Sequence, residues 1–331
     1  MAVQSDPVRA QSPGPSNTHG PVPGDSLSGP RRSGPGLLSR FAPYVLLLPT
    51  MVATLALLAW PLVNTFLLSL QNMNRRQLIQ HLTEWTGFSN YTDQLKSAEF
   101  WHTTERSVIF TVLNVALIMI GGTLVGLLLN RLGKKMRLAL GVSLILAWAM
   151  PLVAQSTVYL WLFDSRYGVV NWFLDQLGWH SMATYNWTGT QTSTFFVIML
   201  LLVWGSIPFV AFNMYAGLTT IPTELYEAAR MDGAGAIKVF TSVVYPSLKP
   251  FFLGTTFLEI IWIFKAFTQV FTIDNGGPER STETMPVYAY VEGMGNQHYG
   301  VGGAIAILTM VMLALVMIPY FRIILKQEDE L

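Results

Sequence analysis

Residues 194–219 read TFFVIMLLLVWGSIPFVAFNMYAGLT, a stretch in which no residue carries a charge. A helix needs about 20 mainly apolar residues to cross the hydrocarbon core of a bilayer. This stretch is long enough, and it lacks the polar face that a helix of a soluble domain repeats every 3.6 residues. It therefore predicts a membrane-spanning helix.

Five further long apolar stretches predict five further spans, and all but the one at 251–271 are free of charged residues. They occupy residues 41–70, 107–130, 138–163, 251–271 and 301–321. The whole chain of 331 residues is 51% hydrophobic and only 12% charged, against roughly 25% charged residues in a typical soluble domain. The sequence therefore predicts an all-α membrane protein with six transmembrane helices.

The composition also excludes several classes of protein. The net charge of +1 gives no basic field for nucleic acid, so we expect no nucleic-acid partner. The chain has no cysteine, which removes disulfides, cysteine-ligated metals and thiol nucleophiles. Its five histidines show no metal-ligand spacing, so we predict neither a metal site nor any other cofactor.

The distribution of Lys and Arg predicts the orientation, because cytoplasmic loops carry an excess of positive charge. With the N-terminus inside, 13 of these residues lie in cytoplasmic segments and 6 on the opposite side. The loop at 131–137 holds four positive charges and no negative one. We therefore expect both termini to be cytoplasmic.

The chain has two predicted parts. Residues 1–36 are rich in Pro, Gly and Ser and cannot bury apolar surface, which predicts a disordered cytoplasmic tail. No short apolar core with a cleavage site precedes the first span, so we expect no secretory signal. Residues 37–331 form the predicted transmembrane domain.

The segment between the fourth and fifth spans is polar and reads GLTTIPTELYEAARMDGAGAIKVF at positions 217–240. Pro222 suits the start of a helix, and Glu224 and Glu227 suit its first turns, where the helix dipole favours negative charge. Gly233 suits a left-handed helix end. A second short helix over about 234–244 is expected to end before Pro246. Such a helix–turn–helix suits insertion into a groove on another protein.

This segment resembles the EAA loop of binding-protein-dependent ABC importer permeases, placed here at about 220–246. The resemblance rests on Glu227, Ala228, Ala229, Asp232, Gly233, Ala234, Phe240 and Pro246. Further similarity to carbohydrate importers extends over about 40–325, and includes Gly-Gly-Pro at 276–278. The chain is most similar to the first, F-type, permease subunit of maltose importers. It departs from that pattern at Arg106-Ser107, where an Asn-Thr pair is usual.

The resemblance implies a type I ABC importer permease fold and a division of labour in a bacterial plasma membrane. This chain forms half of a translocation path, and a second permease subunit forms the other half. An extracellular binding protein delivers a sugar, with a di- or oligosaccharide expected. Cytoplasmic ATPase subunits receive the EAA loop and use ATP. The chain has no phosphate-binding loop of its own, so we expect a transport subunit and not an enzyme.

The same resemblance assigns roles to the coupling residues. Glu227 pairs with a basic group on the ATPase, and Gly233 lets the turn approach closely. Ala228, Ala229 and Ala234 pack against the groove, with Asp232 at the turn. An amphipathic loop without a partner is the alternative.

Glu259 and Lys265 are the charged residues inside a predicted span. A charge at a helix centre costs about 2.5–3.5 kcal/mol on insertion scales and usually faces a cavity or a partner. Glu259 could bond a neighbouring helix or bind sugar hydroxyl groups, and Lys265 is expected to reach the membrane interface. The resemblance places the substrate path at Ser206, Phe209, Glu259 and Trp262. Asn213 could serve either the path or helix packing.

Two other functional classes stay open at this stage. An ion-coupled secondary transporter of a polar solute is the main alternative, although a single clear intramembrane carboxylate and no internal repeat are present. An intramembrane enzyme needs a polar catalytic cluster within the spans, and the sequence shows none.

Overall fold

The structure, a computed structural model, describes residues 37–328, so the predicted tail at 1–36 lies outside the described residues. Fifteen α-helices occur in the described range: α1 Leu37–Thr54, α2 Trp60–Ser69, α3 Arg75–Gln80, α4 Ser89–Lys96, α5 Ala98–Arg131, α6 Lys134–Trp148, α7 Leu152–Leu162, α8 Val169–Gln176, α9 Gln191–Thr219, α10 Thr223–Met231, α11 Ala236–Val239, α12 Tyr245–Phe264, α13 Thr268–Asp274, α14 Met285–Tyr290 and α15 Tyr299–Glu328. Three π-helical turns, at Leu55–Ala59, Phe240–Val244 and Val291–Gly295, extend neighbouring helices. The chain divides into two units, of which the first ends at Leu57 and contains α1.

The described residues contain five helical segments that are long and apolar enough to cross a membrane. These are Leu46–Ser69, Ala98–Arg131, Gln191–Thr219, Ala236–Asp274 and Tyr299–Ile323. The pair α6 and α7 passes the same test as one broken span. The predicted all-α membrane protein with six spans is therefore confirmed when this pair is counted as one.

The third span is not the continuous helix that we predicted over 138–163. Helices α6 and α7 meet at a bend of 97°. Pro151 is the N-cap of α7. A proline has no N–H to donate to a carbonyl of the preceding helix, and its ring disfavours helical geometry at the residue before it. The hydropathy of this stretch is uniform, so hydropathy alone could not reveal the bend.

The central contact of the second unit joins α5 to α9, which pack more extensively than any other pair. Gly126 on α5 faces α9 so closely that an added Cβ atom would lie 2.9 Å from the Ala211 carbonyl oxygen and from the Met214 Cβ. Gly122, one turn earlier, faces Val210 in the same way. The two glycines therefore allow a close helix–helix approach, a role that the sequence did not assign to them.

The prediction of a second short helix that ends before Pro246 is also wrong. Helix α11, the π-helical turn at Phe240–Val244 and α12 follow one another without a gap. Pro246 lies in the first turn of α12, and the π-helical turn widens the backbone just ahead of it. The helix therefore runs on into the fifth span, the segment Ala236–Asp274, which also contains α13.

Candidate functional site

A cavity of about 390 Å³ opens between the broken third span, the middle of α9 and the end of α12. We call it the recess. Its lining includes aromatic, hydroxyl, carboxamide and ammonium side chains, among them Trp148, Gln155, Ser206, Trp262, Lys265, Thr268 and Gln269. Its volume lies within the range of about 300–1,000 Å³ that is usual for small-molecule sites.

An aromatic row borders the recess. The ring centroids of Phe209 and Trp262 lie 4.8 Å apart, and those of Phe209 and Trp148 lie 6.3 Å apart with nearly parallel planes. Trp262 is 36% exposed and Trp148 is 52% exposed. The structure therefore brings together Ser206, Phe209 and Trp262 from the predicted path, and it adds Trp148, which sequence reasoning missed.

Glu259 lies beside the recess but not on its wall. Its exposure is 0%, and neither carboxylate oxygen has a hydrogen-bonding partner among the described residues. Ser206, which does line the recess, is a polar neighbour of this carboxyl group. The carboxylate is thus a buried neighbour of the recess wall and does not itself line the recess.

Asn213 makes a local contact. Its Nδ2 atom donates a hydrogen bond of 2.9 Å to the backbone oxygen of Phe209, four residues earlier on the same helix. This bond joins neither a second helix nor the recess lining.

Lys265 closes the last turn of α12, where a positive charge complements the negative end of the helix dipole. Its side chain is exposed and lines the recess. Gln155 and Gln269 add carboxamide groups to the same wall, and no carboxylate from the described part of the chain lines it. The polar wall of the recess is thus rich in hydrogen-bond donors.

The predicted coupling turn has the geometry that its sequence indicated. Pro222 is the N-cap of α10, Glu224 lies in its first turn, and Gly233 has φ +69°. The Ala234 N–H donates to the Ala229 carbonyl at 3.0 Å, and the Gly233 N–H donates to the Arg230 carbonyl at 3.0 Å. This pair of bonds closes the helix end as a Schellman motif.

The outer face of α10 is uncovered within the described chain. Glu227, Ala228, Asp232 and Gly233 are exposed, whereas Ala229 and Ala234 are partly buried. Nearby apolar side chains also face outward, including Met231, which is 88% exposed. On the inner face of α10, Tyr226 packs against the core. This burial raises the pKa of the Tyr226 hydroxyl group. Helix α10 is therefore anchored on one side and free to dock on the other.

A polar cluster that the sequence did not predict fixes the segment ahead of α14. The Arg106 guanidinium donates hydrogen bonds to the carbonyl oxygens of Arg280 and Ser281, at 3.1 and 2.8 Å. The Ser107 hydroxyl accepts the Met285 N–H at 2.9 Å, and Gln191 donates to the Ser281 carbonyl at 2.9 Å. The departure at Arg106-Ser107 was visible in the sequence, but its partners lie about 175 positions away.

Arg280 in turn bridges two carboxylates. Its guanidinium lies 2.8 Å from Glu283 and 2.8 Å from Glu292, and these hydrogen bonds, led by that to Glu283, raise the pKa of Arg280. Burial alone pushes the pKa of Glu292 upward, but the bonds from Asn296 and Arg280 outweigh it and lower that pKa. Several hydrogen bonds and ion pairs therefore hold this segment at the end of the bundle remote from α10.

The described residues contain no group of three or more His, Cys, Asp or Glu side chains that could hold a metal ion. None of the polar clusters above is therefore a candidate metal centre.

Residues 118–326 match the family described as binding-protein-dependent transport system inner membrane component. The diacetylchitobiose uptake system permease protein DasB of Streptomyces coelicolor is 59% identical over 307 residues, 93% of this chain and 94% of that protein. The trehalose/maltose transport system permease protein MalF of Thermococcus litoralis is 33% identical over 281 residues, 85% of this chain and 92% of its own.

A solved bacterial ABC transporter that imports the acidic polysaccharide alginate shares the fold. One of its chains aligns with a TM-score of 0.76 at 18% identity, covering 87% of this chain and 97% of that one.

These similarities confirm the resemblance drawn from the EAA loop and set aside the ion-coupled alternative. The two relatives are sugar permeases by name, in agreement with the predicted sugar class. The chain belongs to the family of inner membrane components of binding-protein-dependent transport systems, the bacterial membrane permeases of ABC importers.

Proposed function

We propose that this permease forms half of the path by which an N-acetylated disaccharide of the diacetylchitobiose type enters a bacterium. The observation that carries the proposal is the recess, with its aromatic row and its donor-rich wall. The 59% identity to a diacetylchitobiose permease over nearly the whole chain supports the choice of sugar.

The chemistry of the recess suits such a solute. Aromatic faces such as that of Trp262 pack against the C–H surfaces of pyranose rings, which are apolar. Lys265 and Gln269 offer N–H donors to hydroxyl and acetamido oxygens. A protonated amino sugar, in contrast, finds the Lys265 ammonium group and no carboxylate on the wall, so acetylated sugars are favoured.

The recess in this chain is open on one side, and a second permease subunit completes it. A weak, transient site made from two chains suits a path, because a tightly bound sugar could not leave. Ser206, Phe209 and Trp262 contribute to this half. Glu259 is a buried neighbour of Ser206 and does not line the recess.

The α10 surface docks into a groove on an ATPase subunit, which hydrolyses the ATP. Exposed Glu227 pairs with a basic group there, and the small side chains of Ala228 and Ala229 allow close approach. The α10 end of the bundle is cytoplasmic, together with both termini and the positive loop at 131–137. The opposite end, with the Arg106 cluster, meets the extracellular binding protein.

Uptake in a deletion strain tests this function. Cells that lack the chromosomal gene and carry it on a plasmid are given labelled diacetylchitobiose, with unlabelled competitors. We expect plasmid-dependent uptake that vanishes when the ATPase is inactivated, strong competition by diacetylchitobiose, and weak competition by the glucosamine disaccharide and by maltose. Equal uptake with and without the plasmid contradicts the function.

A further inference from the structure

The link between α5 and α6 is short and strongly basic. Helix α5 ends at Arg131, and α6 begins at Lys134 after only two residues. Lys135 and Arg137 follow in the first turn of α6, which gives four positive charges within seven residues. Residues 106–163 contain no Asp or Glu, so no negative charge is close to the link in sequence. We call residues 131–137 the basic link.

One of the four charges is used within the fold. The Arg137 guanidinium donates hydrogen bonds of 2.9 Å to the Leu129 carbonyl and of 2.8 Å to the Leu132 carbonyl. It also lies 5.4 Å from the centre of the Tyr215 ring. Arg137 thus satisfies carbonyl groups at the end of α5, where helical partners are missing. Its role is to hold the link closed.

The other three basic side chains have no such partners. Arg131, Lys134 and Lys135 are exposed, and none of them makes an ion pair or a side-chain hydrogen bond with the described part of the chain. Two of them occupy the first turn of α6, where the helix dipole disfavours positive charge. That turn has neither an acidic residue nor a side-chain cap. Because like charges this close repel each other, a bound anion lowers the free energy of the link.

Exposed apolar side chains flank these charges on both helices. Leu128 on α5 is 48% exposed, and Met136 and Leu138 on α6 are 62% and 69% exposed. No residue of α6 is buried by the described chain. Both helices belong to spans, so their apolar side chains lie beside acyl chains and the basic link lies at the level of the lipid headgroups. The link therefore offers one surface to each part of a phospholipid.

We propose that the basic link binds the phosphate group of an anionic phospholipid through Arg131, Lys134 and Lys135. The lipid belongs to the leaflet at the α10 end of the bundle, and it holds the start of α6 at the membrane surface. A soluble phosphate ester meets the charges but leaves the neighbouring apolar side chains uncovered, which favours a lipid as the source of the phosphate. The inference concerns the surrounding lipid and does not depend on which sugar the permease carries.

Contact with the ATPase is the competing explanation for the basic link, because the link and α10 lie at the same end of the bundle. The two explanations predict different losses when the charges are removed. A lipid site loses anionic lipid and keeps the ATPase, whereas a docking contact loses the ATPase and keeps the lipid.

The experiment measures lipid binding to the complete transporter in detergent, with both permease subunits and the ATPase present. Native mass spectrometry counts bound phosphatidylglycerol and, in parallel, phosphatidylcholine, whose headgroup has no net charge. Lys134→Gln/Lys135→Gln is compared with wild type and with the charge-keeping variant Lys134→Arg/Lys135→Arg. Arg75→Gln/Arg76→Gln is the matched control, because it removes two exposed positive charges from α3. A further arm adds soluble glycerol 3-phosphate as a competitor.

We expect Lys134→Gln/Lys135→Gln to weaken the tightest phosphatidylglycerol binding by roughly 30-fold, because each basic residue near a membrane surface adds a similar attraction. Its phosphatidylcholine binding and its ATPase content should equal those of wild type. The Arg variant should bind phosphatidylglycerol as wild type does, since Arg also binds phosphate. Arg75→Gln/Arg76→Gln should stay within about twofold of wild type, and glycerol 3-phosphate should not displace the lipid.

Unchanged phosphatidylglycerol binding in Lys134→Gln/Lys135→Gln overturns the proposal. An equal loss in Arg75→Gln/Arg76→Gln also overturns it, because exposed charge in general is then responsible. Displacement by glycerol 3-phosphate would assign the link to a soluble phosphate ester, and loss of the ATPase without loss of lipid would assign it to the motor.

Two further measurements separate a lost charge from a misfolded link. The Arg variant changes the same two positions, so loss of phosphatidylglycerol binding in that variant contradicts the proposal. In the wild-type transporter, phosphatidylglycerol binding should weaken as the salt concentration rises, because exposed charges are screened. An affinity that does not change with salt would show that the basic side chains do not hold the lipid.

Discussion

The recess and the α10 turn are held together in different ways. The recess is assembled from α6, α7, α9, α12 and α13, so its wall depends on packing between distant parts of the chain. The α10 turn is closed by hydrogen bonds between residues at most five positions apart. The recess lies between spans, whereas the α10 turn presents charged and apolar side chains outward. Damage to the recess should therefore reduce sugar passage, and damage to the turn should uncouple the motor.

The largest effect is expected at the turn. The variant Gly233→Val places a β-branched residue at φ +69°, and strained backbone of this kind costs about 1–3 kcal/mol. We expect roughly 5- to 100-fold less ATPase co-purifying with the permease, and uptake that falls with it. The measurement is a pull-down of the ATPase with the tagged permease, together with uptake of labelled sugar.

Gly133→Val is the control for that variant, because Gly133 has φ −65° and open space around its Cα atom. We expect it to retain the ATPase. Normal co-purification and uptake in Gly233→Val would show that the turn does not dock.

The next effect is expected at the recess. Trp262→Ala removes an indole that touches Phe209 and the recess, and we expect uptake to fall about tenfold while the ATPase still co-purifies. An aromatic pair contributes about 0.5–1.5 kcal/mol beyond the free energy of burying its apolar area, and the lost burial accounts for the remainder of the tenfold effect. Loss of ATPase binding in this variant would break the distinction between the two regions.

Arg106 tests whether a region at the opposite end of the bundle from α10 affects stability without affecting ATPase binding. Arg106→Met leaves the Arg280 carbonyl without this donor and the Ser281 carbonyl with Gln191 alone, and an unsatisfied buried carbonyl costs about 1–3 kcal/mol. We expect a lower melting temperature for the detergent-solubilised complex, with ATPase binding retained. Arg75→Met, at an exposed position on α3, should leave the melting temperature unchanged, and equal shifts in both variants would refute the role of Arg106.

The smallest effect is expected at Glu259. Its carboxylate is buried and is absent from the recess wall, so Glu259→Gln, which keeps its shape, should leave uptake within about twofold of wild type. Removing an unpaired buried charge should not lower stability. A tenfold loss of uptake at normal protein levels would mean that the carboxylate reaches the sugar during the transport cycle.

The two regions also differ in how far the sequence could predict them. Helix α10 and its end at Gly233 were predictable, because capping and turn signals act over a few residues. The place of Trp148 on the recess wall was missed because it depends on the bend between α6 and α7 and on packing against Phe209, which is some sixty positions away. Pro151 and Pro246 are both prolines next to apolar stretches, yet the span bends by 97° just ahead of Pro151, whereas helical backbone continues through Pro246. Hydropathy does not distinguish these cases, because it reports burial and not backbone direction.

We predict that this chain carries the sugar path and that its α10 turn, not its recess, engages the ATPase. The most direct test is the number of sugar molecules transported per ATP hydrolysed by the reconstituted Trp262→Ala transporter with loaded binding protein. We expect ATP hydrolysis close to that of wild type and a ratio that is roughly tenfold lower. An unchanged ratio, with uptake and ATP hydrolysis falling together, would contradict the claim.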